Sequence, residues 1–203
     1  MGTAKIRLSP EEAALITRAD WILTKNSVIE KTKQLLADLQ TEQHHLFQSC
    51  SSLFPEEIIN SSPKISKGEN YKGLPYLVLD YPRYFSKEDA FAIRTLFWWG
   101  NFFSSTLHLS GIYKKQYEEK IINSFESLKE KEFSACINKD QWEHHFDPDN
   151  YQTLHAFTAA EFEKLIREKP FIKLSKKISL QQWNDAEKNL LEIFSQLVNT
   201  LIS

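Results

Sequence analysis

The chain has 203 residues and a formal net charge of −2, with 41% hydrophobic and 26% charged residues. This composition predicts one folded domain of ordinary size, and it excludes a disordered chain and, with only two cysteines, a disulfide-built secreted one. Acidic and basic residues are closely mixed, which argues against nucleic-acid binding, because phosphate backbones favour proteins with a basic excess.

Targeting signals are missing from the sequence. Residues 1–8 lack the apolar core of a signal peptide, and the densest apolar stretch, residues 96–103, is far too short to span a bilayer. We therefore expect a cytoplasmic protein that does not engage a membrane. The chain has five glycines and no Gly-rich phosphate loop, so no cofactor is expected either.

The N-terminal part, residues 9–49, reads as helical. Ser9-Pro10-Glu11-Glu12 is a capping box with proline at the first helical position, which predicts a helix start. A break is expected at residues 25–27, where Asn and Ser compete for backbone hydrogen bonds, and a second helix at residues 28–47. Residues 50–73 are rich in Ser, Pro and Gly, so they are predicted to form a loop.

The sheet is predicted within residues 74–157. Strand formers occupy residues 76–81, and residues 90–98 and 102–110 read as a hairpin around Trp99-Gly100-Asn101. A helix over 113–132 and a strand over 133–137 follow. A second hairpin is expected from 141–146 and 151–157, around the turn residues Asp147-Pro148-Asp149-Asn150.

The C-terminal part, residues 158–203, is predicted to be helical. Capping boxes at Thr158–Glu161 and at Ser179–Gln182 each open a helix, and the second helix has a wide apolar stripe. The whole pattern predicts a single α+β domain, residues 1–203. Its antiparallel sheet of about four to six strands packs against helices from the N- and C-terminal parts of the chain.

The central hairpin carries the main functional hypothesis. A three-residue turn pairs Phe97 with Phe103, and this register separates an apolar face from a mixed one. The mixed face presents these residues, with Asp80 on a neighbouring strand: Arg94, Trp98, Phe102, Thr106 and His108. Apolar walls with a few convergent polar groups are typical of ligand pockets.

We therefore predict that a small anionic ligand binds on the open face of the sheet. In this hypothesis Arg94 binds the anion and His108 donates or accepts a proton, because a guanidinium pairs with carboxylates or phosphates and imidazole titrates near neutral pH. The alternative is an ordinary solvent-facing sheet surface in which Arg94 simply pairs with Asp80.

A metal site is not predicted. Residues 143–149 and His155 combine imidazoles and carboxylates, and a hairpin would bring His144 or His145 near His155. Their spacing matches no zinc pattern, so a site that uses His144 and His155 is kept only as the weaker alternative.

The second functional hypothesis is a non-enzymatic protein-interaction or oligomerisation module. Aromatic residues make up 13% of the chain, and such residues are enriched at interfaces as well as in cores. In this version the N-terminal helices or the final helix form a homodimer. The sequence does not decide between the two hypotheses, whether the chain is an enzyme, or which ligand it binds.

Overall fold

The computed structural model describes residues 6–202. Residues 1–5, the start of the segment examined for a signal peptide, therefore lie outside the described residues. The described chain forms an antiparallel seven-stranded sheet with the strand order β1-β2-β3-β4-β7-β5-β6. The strands are β1 (Lys64–Tyr71), β2 (Leu74–Phe85), β3 (Ala90–Trp98), β4 (Phe102–Ser110), β5 (Ser134–Cys136), β6 (Tyr151–Thr153) and β7 (Phe171–Ser179).

Helices come from both ends of the chain and from the long connection between β4 and β7. They are α1 (Pro10–Ile16), α2 (Ala19–Gln48), α3 (Glu56–Ile59), α4 (Gly111–Asn123), α5 (Phe125–Glu130), α6 (Ala159–Glu168) and α7 (Ala186–Ile202). Three short 3-10 helices are Ser51–Leu53, Leu154–Ala156 and Leu180–Asp185. The predicted α+β fold with an antiparallel sheet is confirmed. Within residues 6–202, no helix is both long enough and apolar enough to cross a membrane.

The main core lies between one face of the sheet and helices α2, α4 and α7. Alternate residues of each strand point toward these helices, as the two-residue period of a strand requires. The buried residues on this face include Leu77, Phe91, Phe103, Leu107 and Leu174, each at most 1% exposed. Because this face is tightly packed, the cleft described below lies on the opposite face of the sheet.

The central hairpin has the predicted register. Phe97 pairs with Phe103 and Arg94 with Thr106, while Ala92 pairs with His108. Gly100 in the turn has a φ of 71°, a left-handed conformation that glycine adopts without a steric penalty. The prediction that Arg94, Thr106 and His108 share one face is confirmed.

The N-terminal helical part differs in where it breaks. The break lies at Thr17–Arg18, between α1 and α2, and α2 continues through residues 25–27. Asn26 and Ser27 are exposed there, where their side chains reach water and a helix tolerates them at a small energetic cost. The expected break at residues 25–27 is therefore wrong.

Two strands lie outside the predicted sheet region. Strand β1 occupies the predicted loop 50–73, and β7 occupies the part predicted to be helical, residues 158–203. With these strands the sheet has seven, where about four to six were expected. The central strand β4 pairs with β7 along its whole length, from Phe102 with Ser179 to Ser110 with Phe171.

The second predicted hairpin is also different. Residues 141–146 form no strand, and Tyr151–Thr153 pairs with Ser134–Cys136 instead. The intervening residues 137–150, here called the covering segment, fold back over the sheet. Their polar groups bond to side chains of the sheet rather than to a neighbouring strand, as described below.

Candidate functional site

The sequence predicted an open face of the sheet opposite the helices. In the structure the covering segment lies over part of this face. Gln141 Oε1 accepts a hydrogen bond from His108 Nε2 at 2.9 Å, and the backbone carbonyl of Glu143 accepts one from Lys173. Phe146 packs against Phe102 with ring centroids 5.1 Å apart. These contacts bury the sheet residues beneath the segment and leave a cleft beside it.

Tyr71 at the end of β1 fixes the covering segment in place. Its hydroxyl oxygen accepts hydrogen bonds from the backbone amides of His144 at 2.8 Å and His145 at 3.0 Å, and the hydroxyl donates to Glu143 Oε2 at 2.8 Å. Burial raises the pKa of Tyr71 to about 12, so the hydroxyl keeps its proton at neutral pH. One side chain thus satisfies two amides that no strand partner satisfies.

Arg94 is paired with Asp80, as expected in the alternative in which this face is an ordinary sheet surface. Its Nε donates to Asp80 Oδ1 at 2.7 Å and its Nη2 to Oδ2 at 3.1 Å, a bidentate ion pair. The remaining Nη1 donates to His144 Nε2 at 3.3 Å, since a guanidinium offers only donors. The ligand-binding role of Arg94 and Asp80 stays a prediction, but their charges already neutralise each other.

His108 lies beneath the covering segment and is 3% exposed. Burial lowers its pKa to about 3, and the nearby charges of Lys173 and Arg94 add to this effect. Burial likewise lowers the pKa of Lys173 to about 8. His108 is therefore neutral near pH 7 and its Nε2 proton is engaged by Gln141, while its role in proton transfer stays a prediction.

The other predicted site residues hold the face together. Thr106 Oγ1 and Ser175 Oγ are 2.6 Å apart, and Trp98 Nε1 donates to the Tyr71 carbonyl at 3.2 Å. Phe102 contacts both Trp98 and Phe146. Of the six predicted residues, only Arg94 and Asp80 line the cleft.

The alternative metal pair His144 and His155 does not form. His144 contacts Arg94, whereas His155 is exposed in the 3-10 helix that follows β6. The reason is that residues 141–146 are not the strand that would have carried His144 next to His155. The sequence instead brings His145 near Asp147 and Asp149.

The cleft lies between β1, β2 and the covering segment and has a volume of about 490 Å³. Volumes of roughly 300–1,000 Å³ are usual for small-molecule pockets. Tyr76, Phe85 and Trp142 form aromatic walls, and the Trp142 side chain is exposed at the rim with Phe85 and His108 behind it. Glycine at position 68 makes room for the Tyr76 ring, because a side chain there would overlap with it.

Three cationic side chains also line the cleft: Lys64, Arg83 and Lys87. No ion pair joins any of them to a carboxylate of the described residues, although Glu88 and Asp89 lie at the same end. Asp89 Oδ1 accepts a hydrogen bond from the Ile112 amide, and Asp80 is taken by Arg94. The cleft therefore combines aromatic surface with unneutralised positive charge.

Arg83 is the most firmly held of these cations. Its Nε donates to the Ser62 carbonyl at 2.9 Å, and its backbone amide donates to Ser61 Oγ at 3.2 Å. The half-buried guanidinium keeps both Nη groups without an acidic partner among residues 6–202. An arginine held by one nitrogen and open at the other two is suited to a bidentate anion.

No protein-family model, curated protein or solved structure matches this chain. The chemistry of the cleft must therefore be argued from its own residues. Unpaired cations beside aromatic rings can bind an anionic group and stack a planar apolar one.

A β-bulge explains why the sequence did not reveal Arg83. Asp80 pairs with Arg94 and Arg83 with Ala92, so β2 advances by three residues while β3 advances by two. The inserted residue turns Arg83 toward the same face as Asp80, whereas strict alternation would place them on opposite faces. Pro82 was the one signal, since proline within a strand occurs at edges and bulges.

Proposed function

We propose that this chain binds a small anionic ligand with a planar apolar part in the cleft between β1, β2 and the covering segment. The observation that carries the proposal is the Arg83 guanidinium, which faces the cleft with two nitrogen groups and no carboxylate partner in the described chain. The cleft is not the site that was predicted around His108. The class of ligand proposed, a small anion, is the same as in that prediction. The predicted cytoplasmic location belongs to the same proposal.

The electrostatic balance of the cleft supports an anion rather than a cation. Arg94 and Asp80 neutralise each other, and Asp89 is engaged by the Ile112 amide. The three positive charges of Lys64, Arg83 and Lys87 then exceed the two negative charges of Glu88 and Asp89. An anion that binds there loses little hydration at the exposed lysines and makes its directional bonds with Arg83.

The aromatic walls select the rest of the ligand. Phe85 and Trp142 lie with ring centroids 6.1 Å apart on the side of the cleft formed by the covering segment. Tyr76 lies near the start of β2, where Gly68 makes room for its ring, whereas Phe85 ends the same strand. A flat ring packed against Phe85 and Trp142 buries apolar surface, which favours binding.

A thermal-shift screen tests the proposal. We expect aromatic carboxylates or aryl and nucleoside monophosphates to raise the melting temperature of the wild-type chain, while their uncharged counterparts do not, because a ligand specific for the folded state stabilises it. For a compound that binds, Arg83→Gln should raise the dissociation constant by about tenfold or more in calorimetry, the loss of a charge-assisted pair.

Arg18→Gln is the matched control, since Arg18 is an exposed arginine on the opposite part of the chain with its own partner, Asp20. It should leave the dissociation constant unchanged. The proposal fails if no anionic compound of the screen shifts the melting temperature, or if Arg83→Gln binds the compound as tightly as wild type does.

One observation supports the second hypothesis, a protein-interaction or oligomerisation module. Helix α1 has a complete capping box and yet buries none of its seven residues. Ile16 of α1 is 71% exposed, and Leu15 beside it is exposed as well. At the start of α2, Leu23 is 63% exposed and Trp21 is also exposed. A helix of this length is not stable alone in water, which favours packing against a second copy of the same helices. The final helix α7, by contrast, is largely buried.

Analytical ultracentrifugation tests this second candidate. We expect a dimer at micromolar concentration that Leu15→Glu with Leu23→Glu converts to a monomer, because each change places a charge in an apolar contact. Leu53→Glu is the control, since Leu53 is 60% exposed but lies outside these helices. A wild-type monomer over the whole concentration range would exclude the dimer.

A further inference from the structure

The end of the covering segment holds a histidine among three carboxylates. His145 is 3% exposed, and its Nδ1 lies 3.0 Å from Asp147 Oδ2 and 3.8 Å from Asp149 Oδ1. One ligand atom of each of these three residues lies within 4.8 Å of the other two. On the other side of the ring, Nε2 lies 3.4 Å from Glu143 Oε2. The cluster is separate from the cleft and includes none of its cations.

The backbone around this cluster is fixed by buried groups. The His145 amide donates to the Tyr71 hydroxyl, and Asn150 Nδ2 donates to the His145 carbonyl. Asn150 is itself completely buried, and its backbone amide donates to the Asp147 carbonyl at 2.9 Å. The imidazole therefore cannot turn to water, and its Nδ1 edge stays directed at the two aspartates.

The possible ligand atoms converge on the Nδ1 side of the ring. Nδ1 lies 3.0 Å from Asp147 Oδ2 and 3.8 Å from Asp149 Oδ1, so the three atoms are close enough to bind one ion. The opposite ring nitrogen, Nε2, lies next to Glu143 Oε2 and is left outside the set.

We propose that His145, Asp147 and Asp149 form a binding site for a first-row divalent metal ion, with Zn²⁺ preferred over Mn²⁺. One imidazole nitrogen with two carboxylate oxygens suits these ions, whereas Mg²⁺ and Ca²⁺ favour sites built from oxygen alone. Zinc exceeds manganese in affinity for a given site of this kind. The three protein ligands leave coordination positions for water.

Glu143 and Lys72 act on this site from outside the ligand set. A carboxylate that accepts the second ring N–H of a metal-bound histidine orients the ring and makes it a better ligand, which is the position of Glu143. Lys72 Nζ lies 3.3 Å from Asp147 Oδ2 and competes with the metal for the same oxygen. Removal of the Lys72 charge should therefore strengthen metal binding rather than weaken it.

Calorimetric titration of the untagged full chain with ZnCl₂ at pH 7 tests the site. We expect saturable binding of one ion per chain, weaker binding of MnCl₂, and little binding of MgCl₂. Asp149→Asn should weaken zinc binding about tenfold or more, and since Asp149 is 74% exposed this variant keeps the fold. His145→Gln should abolish binding, and Lys72→Gln should tighten it several-fold.

Two controls separate this site from other zinc ligands. His155→Gln and Asp185→Asn change an exposed histidine and an exposed aspartate elsewhere, and both should bind zinc as wild type does. Absence of saturable zinc binding by the wild-type chain would overturn the proposal. Zinc binding that Asp149→Asn and Lys72→Gln leave unchanged would overturn it as well, because the ion would then be held by other groups.

Discussion

Replacement of Asp80 by alanine is expected to lower the free energy of unfolding by about 3 kcal/mol, because it leaves the Arg94 guanidinium buried without its counter-ion. The Asp80 and Arg94 side chains are only 9% and 16% exposed, and Asp80 accepts two hydrogen bonds from Arg94. Urea denaturation of wild type and variant, followed by far-UV circular dichroism, measures the difference.

A double-mutant cycle shows whether this loss belongs to the pair. Arg94→Leu with Asp80→Ala should be more stable than Asp80→Ala alone, since no isolated charge remains. Glu30→Ala, which breaks the exposed pair with Lys33 on α2, serves as the control and should leave the stability almost unchanged. A double variant no more stable than Asp80→Ala would show that the loss comes from packing and not from the unpaired charge.

Acidification is expected to destabilise the folded chain through His108. Its pKa is about 3 in the folded state and about 6.5 in the unfolded state, so below pH 6.5 the unfolded chain binds a proton that the folded chain does not. Titration of His108 therefore leaves the free energy of unfolding unchanged above pH 6.5 and lowers it as the pH falls toward 3. At pH 5 the loss amounts to about 2 kcal/mol relative to neutral pH.

His108→Gln isolates this contribution, because glutamine is uncharged and can bond to Gln141. His108 contacts Gln141, Trp142, Phe85 and Phe171, and the charges near it are those of Lys173 and Arg94. Urea denaturation at pH 7.5 and pH 5 should show a decrease about 2 kcal/mol smaller for the variant than for wild type. His155→Gln, at an exposed position, should behave as wild type does. An equal decrease in wild type and His108→Gln would contradict the prediction.

The central hairpin could be predicted residue by residue from the sequence. Its three-residue turn with Gly100 and Asn101 fixes the pairing of Phe97 with Phe103, and the alternation of apolar and mixed positions then assigns both faces. Capping boxes were equally informative: those at Ser9, Thr158 and Ser179 are all present in the structure. Both signals are local, so neighbouring residues were enough to interpret them.

The sequence did not predict strands β1 and β7, because their local signals are absent or weak. Strand β1 is an edge strand of mostly exposed, polar residues, so hydrogen bonds to β2 rather than apolar alternation define it. Strand β7 does alternate, with Ile172, Leu174 and Ile178 on the core face, but Lys173, Lys176 and Lys177 lie among them and obscure the apolar pattern. Residues 141–146 resemble a strand in composition, yet the amides of His144 and His145 bond to the Tyr71 hydroxyl and not to a neighbouring strand.

The sequence predicted which residues share a face of the sheet but not where a cleft forms on it. Arg94 and Asp80 do line the cleft, and the ligand-binding role predicted for them stays a prediction. Sequence spacing could not reveal that a bulge turns Arg83 to that face, or that the covering segment buries His108 and brings Trp142 to the rim. Each of these features depends on contacts between residues far apart in the chain, such as Tyr71 with His144.

The order of strands in the sheet has a consequence for how the cleft is assembled. Strands β1 to β4 are joined by short turns and pair with their sequence neighbours, whereas β7 reaches β4 only after the long helical connection, and β5 and β6 add outside β7. Closure of long loops is entropically costly, so we expect a refolding chain to form the β1–β4 meander first. The covering segment, which lies between β5 and β6, is then expected to close over the cleft last.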